Sequence, residues 1–143
     1  MTHRDAGNYS MKHPSNKLND EIAHAIEKKV LDGEITCADA EGIAGTLNTP
    51  MGEIGVAIDL MEIRISKCQL GLFGYKPEKM IVTPADNVPA ELEKAIRDIM
   101  VNGRLPCTAS WEIAEKFNMP KIDVSSACET LKIKIKPCQL GAF

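Results

Sequence analysis

The sequence predicts a mainly α protein with short β strands, arranged as two tandem units. Three observations carry this. Shifted by 70 residues, Glu21–Phe73 overlies Glu91–Phe143 without a gap, and 17 of the 53 positions are identical. Three segments in each copy space their apolar residues at the helical period, 3.6. A fourth then switches to the alternation of a half-exposed strand. The copies end in the same block, Cys-Gln-Leu-Gly-x-Phe. The spacing divides the chain into a polar head at 1–17 that reads as mobile, a first repeat at 18–75, a linker at 76–87 and a second repeat at 88–143.

The first helix is expected from about Asn19 to Asp32, with Leu18, Ile22, Ala25, Ile26 and Val30 on one face and Gly33 as its stop. Leu92, Ala95, Ile96, Ile99, Met100 and Gly103 repeat the pattern. A short extended link with Ile35 or Leu105 follows. The second helix begins near Thr36, where Thr36-x-x-Asp39 fits a capping box. It buries Ala40, Ile43, Ala44 and Leu47, matched by Ser110, Ile113, Ala114 and Phe117. Asn48-Thr49-Pro50 and Asn118-Met119-Pro120 are the turns, with proline suited to a first helical position. The third helix buries Ile54, Ala57, Ile58 and Met61, or Val124, Ala127, Cys128 and Leu131. Ile63-Arg64-Ile65 and Lys132-Ile133-Lys134-Ile135-Lys136 then alternate as strands. In the linker, Met80-Ile81-Val82 is expected to return as a strand.

Helix, link, helix, tight turn, helix, strand resembles the winged-helix branch of the helix-turn-helix proteins. The carrying residues are Ile43-Ala44, Asn48-x-Pro50, Ile54, Ala57-Ile58 and Ile63-x-Ile65, with Glu112–Phe117, Val124, Leu131 and Ile133 in the second copy. The resemblance covers both repeats. It implies that the link lies beside the strand, and that the third helix enters the DNA major groove. The second repeat leaves no room after its strand for the returning strand of a full wing.

Base reading needs Arg, Lys, Asn, Gln or Ser on the outward face of that helix. In the first repeat this face is Met51, Gly52, Glu53, Gly55, Val56 and Asp59, which is a poor reader. Its glycines beside Val56 suit close approach by an apolar protein surface. In the second repeat the face is Lys121, Asp123, Ser125, Ser126 and Glu129. Charge agrees: residues 18–75 carry −6 and residues 88–143 carry +1, within a net charge of −3. Phosphate would repel the first repeat. Lys132, Lys134 and Lys136, with Lys121, form the one basic edge, which also reads as a solvated or guarded strand edge.

The leading expectation is therefore a non-catalytic binding protein for a protein partner or for itself, through Met51, Gly52, Gly55, Val56 and Trp111. Trp111 either packs between the repeats or anchors a partner. The alternative is a DNA-binding transcriptional regulator using Lys121, Ser125, Ser126, Lys132, Lys134 and Lys136. A third reading uses the repeated cysteines Cys37, Cys68, Cys107 and Cys138 as a metal or redox site, against the plainer role of small buried fillers. Cys128 replaces Ile58 and belongs to the core. No C-x-x-C pair, phosphate loop, H-E-x-x-H or G-x-S-x-G motif occurs, so no enzyme activity and no cofactor is expected. His3 and His13 fall in the head, and His24 on the surface of the first helix. With no apolar run near the roughly 20 residues of a membrane span and no opening signal segment, a soluble, cytoplasmic protein is expected.

Overall fold

A computed structural model describes Tyr9, His13, residues 17–76 and residues 79–142. The elements run α1 (Asp20–Glu27), β1 (Glu34–Thr36), α2 (Cys37–Thr46), α3 (Met51–Leu60) and β2 (Arg64–Ser66). They continue with α4 (Ala90–Asp98), β3 (Arg104–Leu105), α5 (Cys107–Lys116), α6 (Lys121–Leu131) and β4 (Lys134–Ile135). The protein is thus mainly helical, with short strands paired in two small sheets. No helix among the described residues is long and apolar enough to cross a membrane.

Each sheet is a parallel pair. Glu34, Ile35 and Thr36 face Arg64, Ile65 and Ser66, while Arg104 and Leu105 face Lys134 and Ile135. The link before the second helix therefore does lie beside the strand. A parallel pair needs a crossover connection, and here two helices supply it in each copy.

The first helix ends earlier than its spacing suggests. Asp32 and Gly33 both have positive φ, 54° and 76°, and Asn102 and Gly103 repeat this at 53° and 76°. Two such residues in succession make a type I′ turn, the conformation that Asp-Gly and Asn-Gly favour. Leu31 and Glu34 exchange backbone hydrogen bonds of 2.9 and 3.0 Å across it; Val101 and Arg104 do so at 2.7 and 3.1 Å. Gly33 and Gly103 are thus hairpin residues rather than helix stops.

The helix-to-helix turns follow the proline and asparagine signals. Asn48 and Asn118 adopt φ of 50° and 51° just past α2 and α5. The Thr49 and Met119 amides then reach back to the Ala44 and Ala114 carbonyls at 2.9 Å, closing a Schellman motif at each end. Pro50 and Pro120 stand one residue ahead of α3 and α6, as N-caps. Thr36 caps α2 by accepting the Asp39 amide at 3.0 Å, which is half of a capping box. Met80-Ile81-Val82 forms no strand. The Ile81 amide instead donates to the Gly71 carbonyl at 2.9 Å, and Val82 is buried.

Two compact units result. The first holds the described residues up to Cys68 together with residues 139–142; the second holds the described residues from Gln69 to Cys138. Each closing block therefore leaves its own repeat at the cysteine, differing from the divisions at 75 and 87 that the spacing suggests. Leu70 is fully buried in the second unit, and Leu140 is buried in the first. Ile26, Ile35, Ile54 and Ile58 are fully buried in the first unit; Leu70, Ile96, Leu105, Val124 and Cys128 are fully buried in the second. Each large aliphatic of this kind contributes about 1.5–3 kcal/mol.

Candidate functional site

The outward faces of α3 and α6 are the surfaces on which the expected partner sites fall. On α3, Gly52 and Glu53 are exposed, and Met51 and Val56 are half-buried. Gly55 and Asp59, expected outward, are buried. Leu140 covers Gly55 so closely that a Cβ there would fall 2.7 Å from the Leu140 carbonyl carbon and closer still to its oxygen. A side chain at residue 55 would displace backbone, so glycine is required by contact rather than by dihedral angle.

Asp59 is buried for a different reason. Its Oδ2 lies 2.8 Å from His13 Nε2, with 7% of the Asp59 side chain exposed against 22% for His13. One turn further, the Tyr9 amide donates to Glu62 Oε2 at 2.6 Å, and Tyr9 is buried. The two described residues of the head are thus seated on the first unit, at the end of α3. His3 and the remaining head residues lie outside the described residues. Spacing alone does not reveal these contacts. The one available signal is an aspartate set between Ile58 and Leu60.

On α6, Lys121 is half-buried and occupied within its own unit. Its Nζ donates to Gln69 Oε1 at 2.9 Å and lies 4.2 Å from the Trp111 ring centroid. Trp111 is half-buried, with the Lys121 ammonium over its ring as a cation–π contact within the second unit. Its buried Nε1 has no hydrogen-bond partner among the described residues. Ser125, expected at the surface, is fully buried, and its Oγ also lacks a partner. Ser126 is half-buried. Its carbonyl accepts the Ala85 amide at 3.0 Å, and Thr130 Oγ1 donates to the Ala85 carbonyl at 2.6 Å. Ala85 of the linker thus partners two polar groups of α6, the Ser126 carbonyl and the Thr130 hydroxyl. The repeated Cys-Gln-Leu-Gly block was the signal for Gln69, Leu70 and Leu140, because identical residues outside the helices need a shared contact.

The basic edge is laid out as the alternation predicts. Lys132, Lys134 and Lys136 are exposed, and Ile133 and Ile135 between them are buried. Arg104, opposite Lys134 in the ladder, is exposed too.

The cysteines are thiols, with no disulfide. Cys37 and Cys107 are the first residues of α2 and α5. Cys37, Cys68 and Cys107 are buried and Cys138 is half-buried. The Cys107 amide donates to the Pro137 carbonyl at 3.0 Å, directly beside Cys138. Cys128 is in the core, and burial pushes its thiol up to about 12. Among the described residues, no group of three or more His, Cys, Asp and Glu side chains is placed to hold a metal ion. No family model, curated protein or solved structure matches the chain.

Proposed function

We propose that this protein is a non-catalytic binding module of two winged-helix-like units, and that its partners are proteins. The observation that carries this reading is the seat of Leu140 on Gly55. The face of α3 that a groove-reading helix would present to base edges is instead shaped to receive polypeptide backbone. The remainder of that face, exposed Gly52 and Glu53 with half-buried Met51 and Val56, carries no base-reading side chain. On α6, Ser125 is buried and Lys121 is held by Gln69 and Trp111, which removes two of the side chains that a reader would use.

The second reading is phosphate binding by the edge of β4. It rests on the exposed row Lys132, Lys134 and Lys136 with Arg104 beside it. Fluorescence anisotropy with a mixed-sequence DNA duplex separates the two, because phosphate contacts weaken steeply as salt rises. The protein-binding reading expects no binding at low salt. It also expects a captured protein partner that is lost in Met51→Glu/Val56→Glu and retained in Lys132→Glu/Lys134→Glu. Salt-sensitive DNA binding that the lysine variant abolishes would replace it with the phosphate reading.

A further inference from the structure

Cys37 and Cys68, and Cys107 and Cys138, stand at matching places in the two repeats. Some buried positions drift between copies, Ile35 to Leu105, Ile54 to Val124 and Ile58 to Cys128, while others are kept, Ile26 as Ile96, Ile43 as Ile113 and Ile65 as Ile135. An apolar filler tolerates such exchange. All four cysteines are nonetheless retained, as pairs.

Backbone pairing places each pair at one end of its ladder. In the second unit the ladder runs Leu105 beside Ile135, and the Lys136 amide donates to the Leu105 carbonyl at 2.8 Å. The next bond joins the Cys107 amide to the Pro137 carbonyl at 3.0 Å, and Cys138 is the following residue. With standard peptide dimensions this places the two Cα atoms roughly 6 Å apart. Disulfides span Cα separations of about 4.4–6.8 Å. In the first unit the last paired residues are Thr36 and Ser66, so Cys37 and Cys68 lie just past the same end of the ladder.

We propose that Cys107–Cys138 and Cys37–Cys68 are dithiol pairs that close to disulfides, one within each unit. Oxidised glutathione is a sufficient oxidant. The thiolate of Cys138, the least buried of the four, attacks one glutathione sulfur and releases the first glutathione thiolate. Cys107 then gives up its proton and attacks the Cys138 sulfur, releasing the second. The pair loses two electrons and two protons, and two glutathione thiols form. The Cys37–Cys68 pair follows the same course more slowly, because both of its sulfurs are buried. Each disulfide would fasten the point where the chain leaves one unit for the other, at Cys68 and at Cys138.

The test treats the full chain with oxidised glutathione, alkylates it in denaturant and maps its peptides by mass spectrometry. Expected are a Cys107–Cys138 link first, a Cys37–Cys68 link later, alkylated Cys128 throughout, and a mass lower by two hydrogens per closed pair. Cys138→Ser should leave Cys107 alkylated while the Cys37–Cys68 link persists; Cys107→Ala is the substitute if that variant fails to fold. Five alkylated cysteines after oxidation would overturn the proposal. So would links to Cys128, across the two pairs or between chains.

Discussion

Gly55 in α3 and Ser125 in α6 hold the same place in the two units, and both are buried. In the first unit the helix is stripped to backbone so that Leu140 can lie against it. In the second the place is filled by a serine whose hydroxyl is buried without a partner. The helix starts diverge as well. Asn19 and Thr36 cap α1 and α2 by accepting backbone amides, whereas Pro89 and Pro106 stand before α4 and α5 with no side-chain cap. The second unit adds exposed i,i+4 pairs on α4, Lys94 with Asp98 and Arg97 with Glu93. What both copies keep is therefore the apolar frame and the turn geometry. Caps, charges and the surface of the third helix differ between the copies.

The largest expected effect tests the shared frame. Ile26→Ala and Ile96→Ala each remove a fully buried side chain, and each should cost about 3 kcal/mol in denaturant unfolding. Unequal losses would show that the units are not equivalent frames. The third-helix contrast comes next, with opposite signs. Gly55→Ala should cost about 2–3 kcal/mol because the new Cβ meets backbone. Ser125→Ala should gain about 1 kcal/mol by removing an unpartnered hydroxyl.

Alkaline pH should then separate the units through Cys128, which takes the place of Ile58. Burial holds its thiol protonated in the folded state up to about 12, against an ordinary value of 9.0. Between those values the unfolded chain binds fewer protons than the folded one, so stability falls as pH rises. The slope approaches about 1.4 kcal/mol per pH unit. Cys128→Val should remove it, as read from unfolding midpoints at pH 8 to 10. The smallest contrast is at the caps. Thr36→Ala should cost about 1 kcal/mol through the lost Asp39 bond. Pro106→Ala has no cap bond to lose and should cost less.

The three helices of each copy were legible because their stripes, Ile22-Ile26, Ile43-Ala44 and Ile54-Ala57-Ile58 with their counterparts, are set by contacts within the unit. The Asn-x-Pro turns were legible for the same reason, whereas the pairing of link with strand came from what the winged-helix resemblance implies. The early end of α1 was also written in the sequence, as Asp32-Gly33 and Asn102-Gly103, but one glycine after a helix serves as a stop as readily as a hairpin. Gly55, Ser125 and Asp59 were not legible. Helical phase puts them outward; Leu140 lies on Gly55 and His13 on Asp59, and neither contact is fixed by local spacing. The basic edge of β4 could be read directly, because alternation decides exposure when nothing crosses the strand.

The exchange of closing blocks also sets an order of assembly. The second unit is contiguous from Gln69 to Cys138, so every part of it is present before Gln139 has been made. The first unit has its helices early but waits for residues 139–142, which arrive across the longest loop in the chain. Closing that loop costs entropy that the contacts of residues 139–142, Leu140 on Gly55 and the buried Ala142 among them, offset. During synthesis α3 therefore stands with Gly55 uncovered until the final block emerges. In that interval the surface is open to another chain's block, or to whatever holds nascent chains apart.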